Sequence, residues 1–174
     1  MHIRQERNTD FEQIKLLIKA AFKQDVFSDQ QEHHLVANLR KSDAYIPQLT
    51  LVAEVADQVV GHILLSRIII RDGEQEYPVL ALAPVSVHPN FQRQGIGQRL
   101  IETAHDQARV LGYQAIILVG HADYYPRFGY RPIADFGIRL PFPAPPENCM
   151  ALELVPGALS EVQGEVIYSD PFGL

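Results

Sequence analysis

The chain has 174 residues, 47% apolar and 21% charged, which is the composition of a folded protein with a sizeable core and not of a disordered segment. Fifteen Lys and Arg against twenty-one Asp and Glu leave a net charge of −6, which argues against general nucleic-acid binding and against a basic membrane anchor. The longest apolar run, residues 77–85, is nine residues long with two prolines, whereas a membrane span needs roughly twenty.

The first residues, Met1-His2-Ile3-Arg4, contain no apolar leader, and the lone Cys149 can form neither an internal disulfide nor a cysteine metal cluster. The expectation is a cytoplasmic protein, folded as a single domain over 1–174, with no nucleic-acid or membrane partner. In chain order, Thr9 and Glu12 stand at capping-box spacing ahead of Phe11, Ile14, Leu17, Ile18, Ala21 and Phe22, which recur with a helical period. Ser28 with Gln31 is a second such box, before a helix carrying Leu35, Val36 and Leu39. His33 and His34 are neighbours on that helix and are expected to point apart, which argues against a metal pair. Residues 49–55, 59–70 and 77–87 are extended runs joined by short turns, Ala56-Asp57-Gln58 and Asp72-Gly73, so an antiparallel meander follows.

The period then changes. Ile96, Leu100, Ile101, Ala104, Ala108 and Leu111 mark an amphipathic helix, and Gly112 suits its C-terminal cap. Residues 115–119 form a wholly apolar strand, suited to burial on both faces. Strand, helix and strand make a crossover that sets the two strands parallel, and the sheet is therefore mixed. Six of the twelve prolines lie from Pro126 to Pro146, which marks 137–147 as a long irregular loop. Residues 148–154 read as a late strand and 166–168 as another short one.

The segment Val85-Ser86-Val87-His88-Pro89-Asn90-Phe91-Gln92-Arg93-Gln94-Gly95-Ile96-Gly97 runs strand, turn, glycine loop, helix. Gly95 and Gly97 allow positive φ, and N–H groups from Arg93 to Gln98 would converge at the positive end of the helix dipole, where a pyrophosphate fits. A dinucleotide fingerprint would need a third glycine where Leu100 stands, and a nucleotide-triphosphate loop would need Gly-Lys-Ser or Gly-Lys-Thr; the chain has neither. The dull alternative is a connection that serves only as a turn. Gln92-Arg93-Gln94-Gly95-Ile96-Gly97 resembles the coenzyme A loop of the GNAT superfamily of N-acetyltransferases, and Val87-His88-Pro89 resembles its lead-in. Asp123-Tyr124-Tyr125-Pro126-Arg127-Phe128-Gly129-Tyr130 resembles the late tyrosine motif of the same superfamily, and the whole likeness covers about residues 3–154.

That resemblance implies a GNAT-like α/β (α+β) fold: a mixed sheet of about six to seven strands with about four helices, splayed at a CoA cleft. The core would be residues 3–154, with 155–174 a C-terminal extension. It implies acetyl-CoA as co-substrate, no metal, and direct attack by an amine of a small molecule or peptide. The implied cofactor contacts are Val85, Ser86 and Val87 along the pantetheine and Gln92, Arg93, Gln94, Gly95, Ile96, Gly97 and Gln98 at the pyrophosphate. The Val87 N–H would polarise the thioester carbonyl, and Tyr125, with an ordinary pKa of ~10, would protonate the departing sulfur; the plain alternative is that Tyr125 packs against Phe128. Pro84 points the same way on physical grounds, because a proline inside a strand belongs at an edge or a bulge, and a bulge frees backbone groups for a ligand.

The general base stays open among a water relay, His121, His88 and Glu54, since residues 79–87 contain no acid. His88 also reads as a hydrogen-bonder in its turn, and Cys149 has no neighbour that would activate it. A non-catalytic acyl-CoA binding or sensing domain, and an acyltransferase for a longer acyl chain, are the competing readings. Homodimerisation is a family habit that no feature of this sequence specifies.

Overall fold

The longer, apolar strands of this chain are buried on one face or on both, and the burial follows their composition. The computed structural model describes all residues 1–174. Its strands are β1 (His2–Gln5), β2 (Thr50–Val55), β3 (Gln58–Asp72), β4 (Gln75–Val87), β5 (Ala115–Val119), β6 (Arg131–Pro132), β7 (Ile138–Arg139), β8 (Cys149–Glu153) and β9 (Gly164–Ile167). The α-helices are α1 (Phe11–Phe22), α2 (Glu32–Leu39) and α3 (Ile96–Val110). The strands are hydrogen-bonded in the order β1-β2-β3-β4-β5-β8-β6, with β9 on β3 and β7 on β9. β4 and β5 pair parallel, whereas β1–β2, β2–β3 and β5–β8 are antiparallel, so the sheet is mixed as the crossover requires.

The chain divides into two compact units, residues 1–65 with 83–107 and residues 66–82 with 108–174. In the first, Ile14, Leu17 and Ile18 of α1 and Val36 and Leu39 of α2 are buried with Leu51, Val52, Ile63 and Leu64 of the meander. Ala56 and Asp57 both take left-handed φ, 48° and 62°, the geometry of a tight two-residue hairpin between β2 and β3. At its near end β3 accepts the His88 N–H on the Val60 carbonyl at 2.9 Å. The Ala83–Pro84 peptide is cis. The second unit buries Ile68, Ile70, Val79, Ala81, Ile117, Ala151 and Val166 in one apolar cluster.

Several local expectations change. Thr9 does not cap α1; a 3-10 turn, Asn8–Asp10, precedes it, and the Asp10 carboxylate accepts the Arg7 N–H at 2.7 Å. α2 begins at Glu32 with Gln31 as its cap, because Ser28 spends its hydroxyl on the Glu32 carboxylate and the Gln30 N–H. The sheet has nine strands because β1, β6 and β7, of two to four residues, are too short and too polar to show a period. Three α-helices form where about four were expected, and the other helical segments are 3-10 turns of three or four residues, Tyr125–Phe128 among them. The proline-rich segment is less irregular than expected, since it contains β7 and a 3-10 turn, Pro146–Asn148. The His33 and His34 rings do not point apart; their centroids lie 4.0 Å apart. No helix is long and apolar enough to cross a membrane.

Candidate functional site

The glycine loop is built from its own side chains. His88 Nδ1 accepts the Asn90 N–H at 3.2 Å, which opens a 3-10 turn over Pro89–Phe91. Gln92 then reaches back and donates from Nε2 to the Val87 carbonyl at 3.1 Å, tying the loop to the end of β4. Gln94 Nε2 donates to the Asn90 carbonyl at 3.4 Å. Arg93 and Gly95 take left-handed φ, 61° and 80°, and between them they turn the chain into α3. Gly97 does not need this freedom. It lies in the first turn of α3 with no positive φ, so its contribution is the missing side chain.

The Gly95 carbonyl accepts the Arg99 N–H at 3.1 Å, which closes the first helical turn. The N–H groups of Ile96, Gly97 and Gln98 therefore have no acceptor within the helix, and they stand at the positive end of its dipole. Residues 92–95 are exposed, and a Cβ placed on Gly95 meets no atom within 4 Å. The loop is thus an exposed row of backbone donors, the chemistry that a pyrophosphate calls for.

The first turn of α3 packs over Gly61, a residue with no motif around it in the sequence. A Cβ on Gly61 of β3 would stand 2.9 Å from Leu100 Cδ1, 3.0 Å from Ile96 Cγ2 and 3.3 Å from Ala53 Cβ. Any larger residue would force the side chains of the first turn of α3 to shift. A lone glycine inside an apolar strand is the signal for such close approach.

In the second unit, Gly120 follows β5 and donates its N–H to the Asn148 carbonyl at 2.9 Å. A Cβ there would overlap the ring of Tyr125, so this glycine makes room for that side chain. The His121 carbonyl accepts the N–H groups of Tyr124 and Tyr125 at 3.1 and 3.4 Å, and Gly129, at φ 95°, ends the 3-10 turn. The Tyr125 ring is buried edge-on between Tyr124 (5.2 Å) and Tyr130 (5.7 Å), while Phe128 packs on Tyr124 instead. The spacing from tyrosine to glycine and aromatic is therefore a packing unit. Burial, with Tyr124 beside it, pushes the Tyr125 phenol well above its usual value, and it stays protonated at neutral pH.

Two of the open candidates for the general base have other occupations. His88 uses Nδ1 in its turn. Glu54 accepts from Arg4 at 2.7 and 3.2 Å, and Arg4 also grips Asp10 at 2.7 and 3.0 Å. His121 is exposed. Cys149 is buried with its Sγ 3.4 Å from the Pro145 carbonyl, and burial raises its pKa, the opposite of nucleophilic activation.

A mixed sheet feeding an exposed donor loop and helix N-terminus suits an anionic ligand, and comparison with known proteins gives the family. The family described as Acetyltransferase (GNAT) domain matches residues 2–133. Escherichia coli K12 YjhQ, named an uncharacterized N-acetyltransferase, is 36% identical over 149 residues, 83% of this chain and 82% of its own. The crystal structure of E. coli YhbS with CoA superposes at a TM-score of 0.88 with 26% identity, over 99% of this chain and 92% of that one. A GNAT acetyltransferase from Brucella melitensis with acetyl-CoA gives 0.80 and 34% identity over 98% and 97%. The chain belongs to the GNAT family of N-acetyltransferases.

Proposed function

We propose that this acetyltransferase takes its acetyl group from acetyl-CoA and passes it to the amine of a small molecule or peptide. The observation that carries the reading is the exposed loop, Gln92, Arg93, Gln94 and Gly95, running into α3 with the N–H groups of Ile96, Gly97 and Gln98 free of helical acceptors. In this reading those donors hold the pyrophosphate, and the main chain of Val85, Ser86 and Val87 pairs with the pantetheine. The Val87 N–H polarises the thioester carbonyl, and Tyr125 protonates the departing sulfur. CoA and acetyl-CoA in the crystals of the YhbS and Brucella relatives support the choice of cofactor. The net charge of −6 favours a cationic acceptor.

The test is ligand-dependent unfolding followed by a turnover assay. CoA at ~100 times its Kd should stabilise the fold by ~2.7 kcal/mol, and NAD and ATP should not. No shift at millimolar CoA would remove the cofactor assignment. Stabilisation without thiol release from acetyl-CoA in the presence of a panel of primary amines would leave an acyl-CoA-binding domain instead.

A further inference from the structure

The second unit holds a cavity of about 380 Å³. Tyr77 and Val79 of β4, Leu111 and Tyr113 just beyond α3, and Ala158 and Leu159 of the turn after β8 line it. Ala115, the first residue of β5, lines it too, so the cavity lies at the other end of that strand from Gly120 and Tyr125. Every lining residue belongs to 66–82 or 108–174, whereas the donor loop at 92–98 is part of the first unit. The family match ends at residue 133, and the wall made by Ala158, Leu159 and Val162 lies outside it.

Local hydrogen bonds fix the walls before any ligand arrives. α3 ends at Gly112, whose φ is 86° and whose N–H donates to the Arg109 carbonyl at 3.0 Å, while the Tyr113 N–H returns to the Ala108 carbonyl at 3.0 Å. These bonds set the chain that supplies Leu111 and Tyr113. In the turn after β8, the Ala158 N–H donates to the Val155 carbonyl at 3.0 Å and the Leu159 N–H to the Glu153 carboxylate at 2.8 Å. The Tyr77 hydroxyl donates to Gln75 Oε1 at 2.7 Å, and the Tyr113 hydroxyl accepts from Arg67 Nε at 3.2 Å. Both phenol oxygens thus have partners outside the lining, and the rings contribute aromatic surface. The mouth reaches solvent, since Leu111 and Gln114 are exposed.

We propose that this cavity is a binding site for an uncharged, two-ring aromatic molecule, separate from the loop that the acetyltransferase reading gives to CoA. No Asp, Glu, Lys, Arg or His lines it, so a charged ligand would lose its water and gain no counter-charge. Gln114 supplies the one side-chain amide, enough to orient a ligand through a single hydrogen bond. A cavity of about 150 Å³ takes one benzene ring, and the larger volume here suits two fused rings. Tyr77 and Tyr113 favour an aromatic occupant, because ring edges and faces attract one another beyond simple area burial. An apolar lining with few polar groups, already formed, is the usual make-up of a small-molecule site.

The test titrates the full chain with indole by calorimetry, with indolecarboxylate as the charged probe and octanol as the aliphatic one. Indole should bind saturably and raise the Tm, and both other probes should bind ~10-fold more weakly or worse. Ala158→Trp fills the cavity from a half-buried position in its wall. It should weaken indole ~10-fold or more and leave CoA affinity within about twofold, since the donor loop is untouched. Saturating CoA should not change the affinity for indole. If Ala158→Trp does not fold, the ranking of the probes and the CoA competition on the wild type decide the matter. No saturable binding at millimolar indole, equal affinity for either other probe, displacement by CoA, or full indole binding by a folded Ala158→Trp protein overturns the proposal. None of these outcomes bears on acetyl transfer, which thiol release tests separately.

Discussion

Tyr125 has a chemical role only if its surroundings keep the phenol protonated, and they do. Its ring is held between Tyr124 and Tyr130, it fills the space that Gly120 leaves free, and burial raises its pKa. Tyr125→Phe keeps that packing and removes the proton. If the phenol serves the sulfur, CoA affinity should hold while kcat drops ~10²-fold or more, each tenfold being ~1.4 kcal/mol of barrier. Tyr124→Phe should do much less. Full activity in Tyr125→Phe, or a loss accounted for by weaker CoA binding, would reduce Tyr125 to a packing residue. Gln92 teaches a related lesson. The motif suggests a ligand contact, yet its side chain amide holds the Val87 carbonyl, so the residue shapes the loop before any ligand arrives.

At the scale of elements, the position of the N-terminal end of α3 depends on how closely the helix approaches β3. Ile96 and Leu100 are buried, and Gly61 sits beneath them with no room for a methyl group. Gly61→Val adds three carbons where one already collides. Overpacking of this kind costs about 1–3 kcal/mol, and here the strain is relieved by moving the first turn of α3. The expected result is a lower Tm together with CoA binding weakened at least tenfold by calorimetry. Weaker folding with unchanged CoA affinity would show that the helix end does not set the donor row.

For the whole molecule, buried charge makes stability depend on acid. Burial by itself would raise the Glu6 carboxyl, but His62 and Arg40 more than offset this and bring it down to about 2 from 4.5. A depressed carboxylate pKa means that the unfolded chain binds the proton more readily. The stabilisation is therefore complete above pH 4.5 and is lost as the pH falls towards 2, and it amounts to about 3 kcal/mol. His62 adds to the same trend, since its pKa is lowered from 6.5, mainly by burial. Denaturant titrations of the wild type should show stability falling across pH 4.5 to 2. Glu6→Gln should be less stable at pH 7 and should decline less steeply across that window, the remaining slope coming from Asp10, held low by Arg4, and from His62. A parallel decline in both proteins would show that other carboxylates dominate.

Much of this protein was legible in its sequence because the signals are local. The periods of α1, α2 and α3, the meander of β2 to β4, the parallel crossover to β5 and the glycine loop each lie within a few adjacent residues whose spacing fixes the backbone they can adopt. The family could be read from two short motifs for the same reason. Tertiary structure decided what depends on partners far along the chain. β1, β6 and β7 exist because neighbouring strands offer hydrogen bonds, not because their own residues prefer the extended state. Gly61 and Gly120 have meaning only beside the side chains that crowd them. Glu6, Arg40 and His62 carry no shared spacing, and a charge acquires its energy from the burial and the partners that folding gives it.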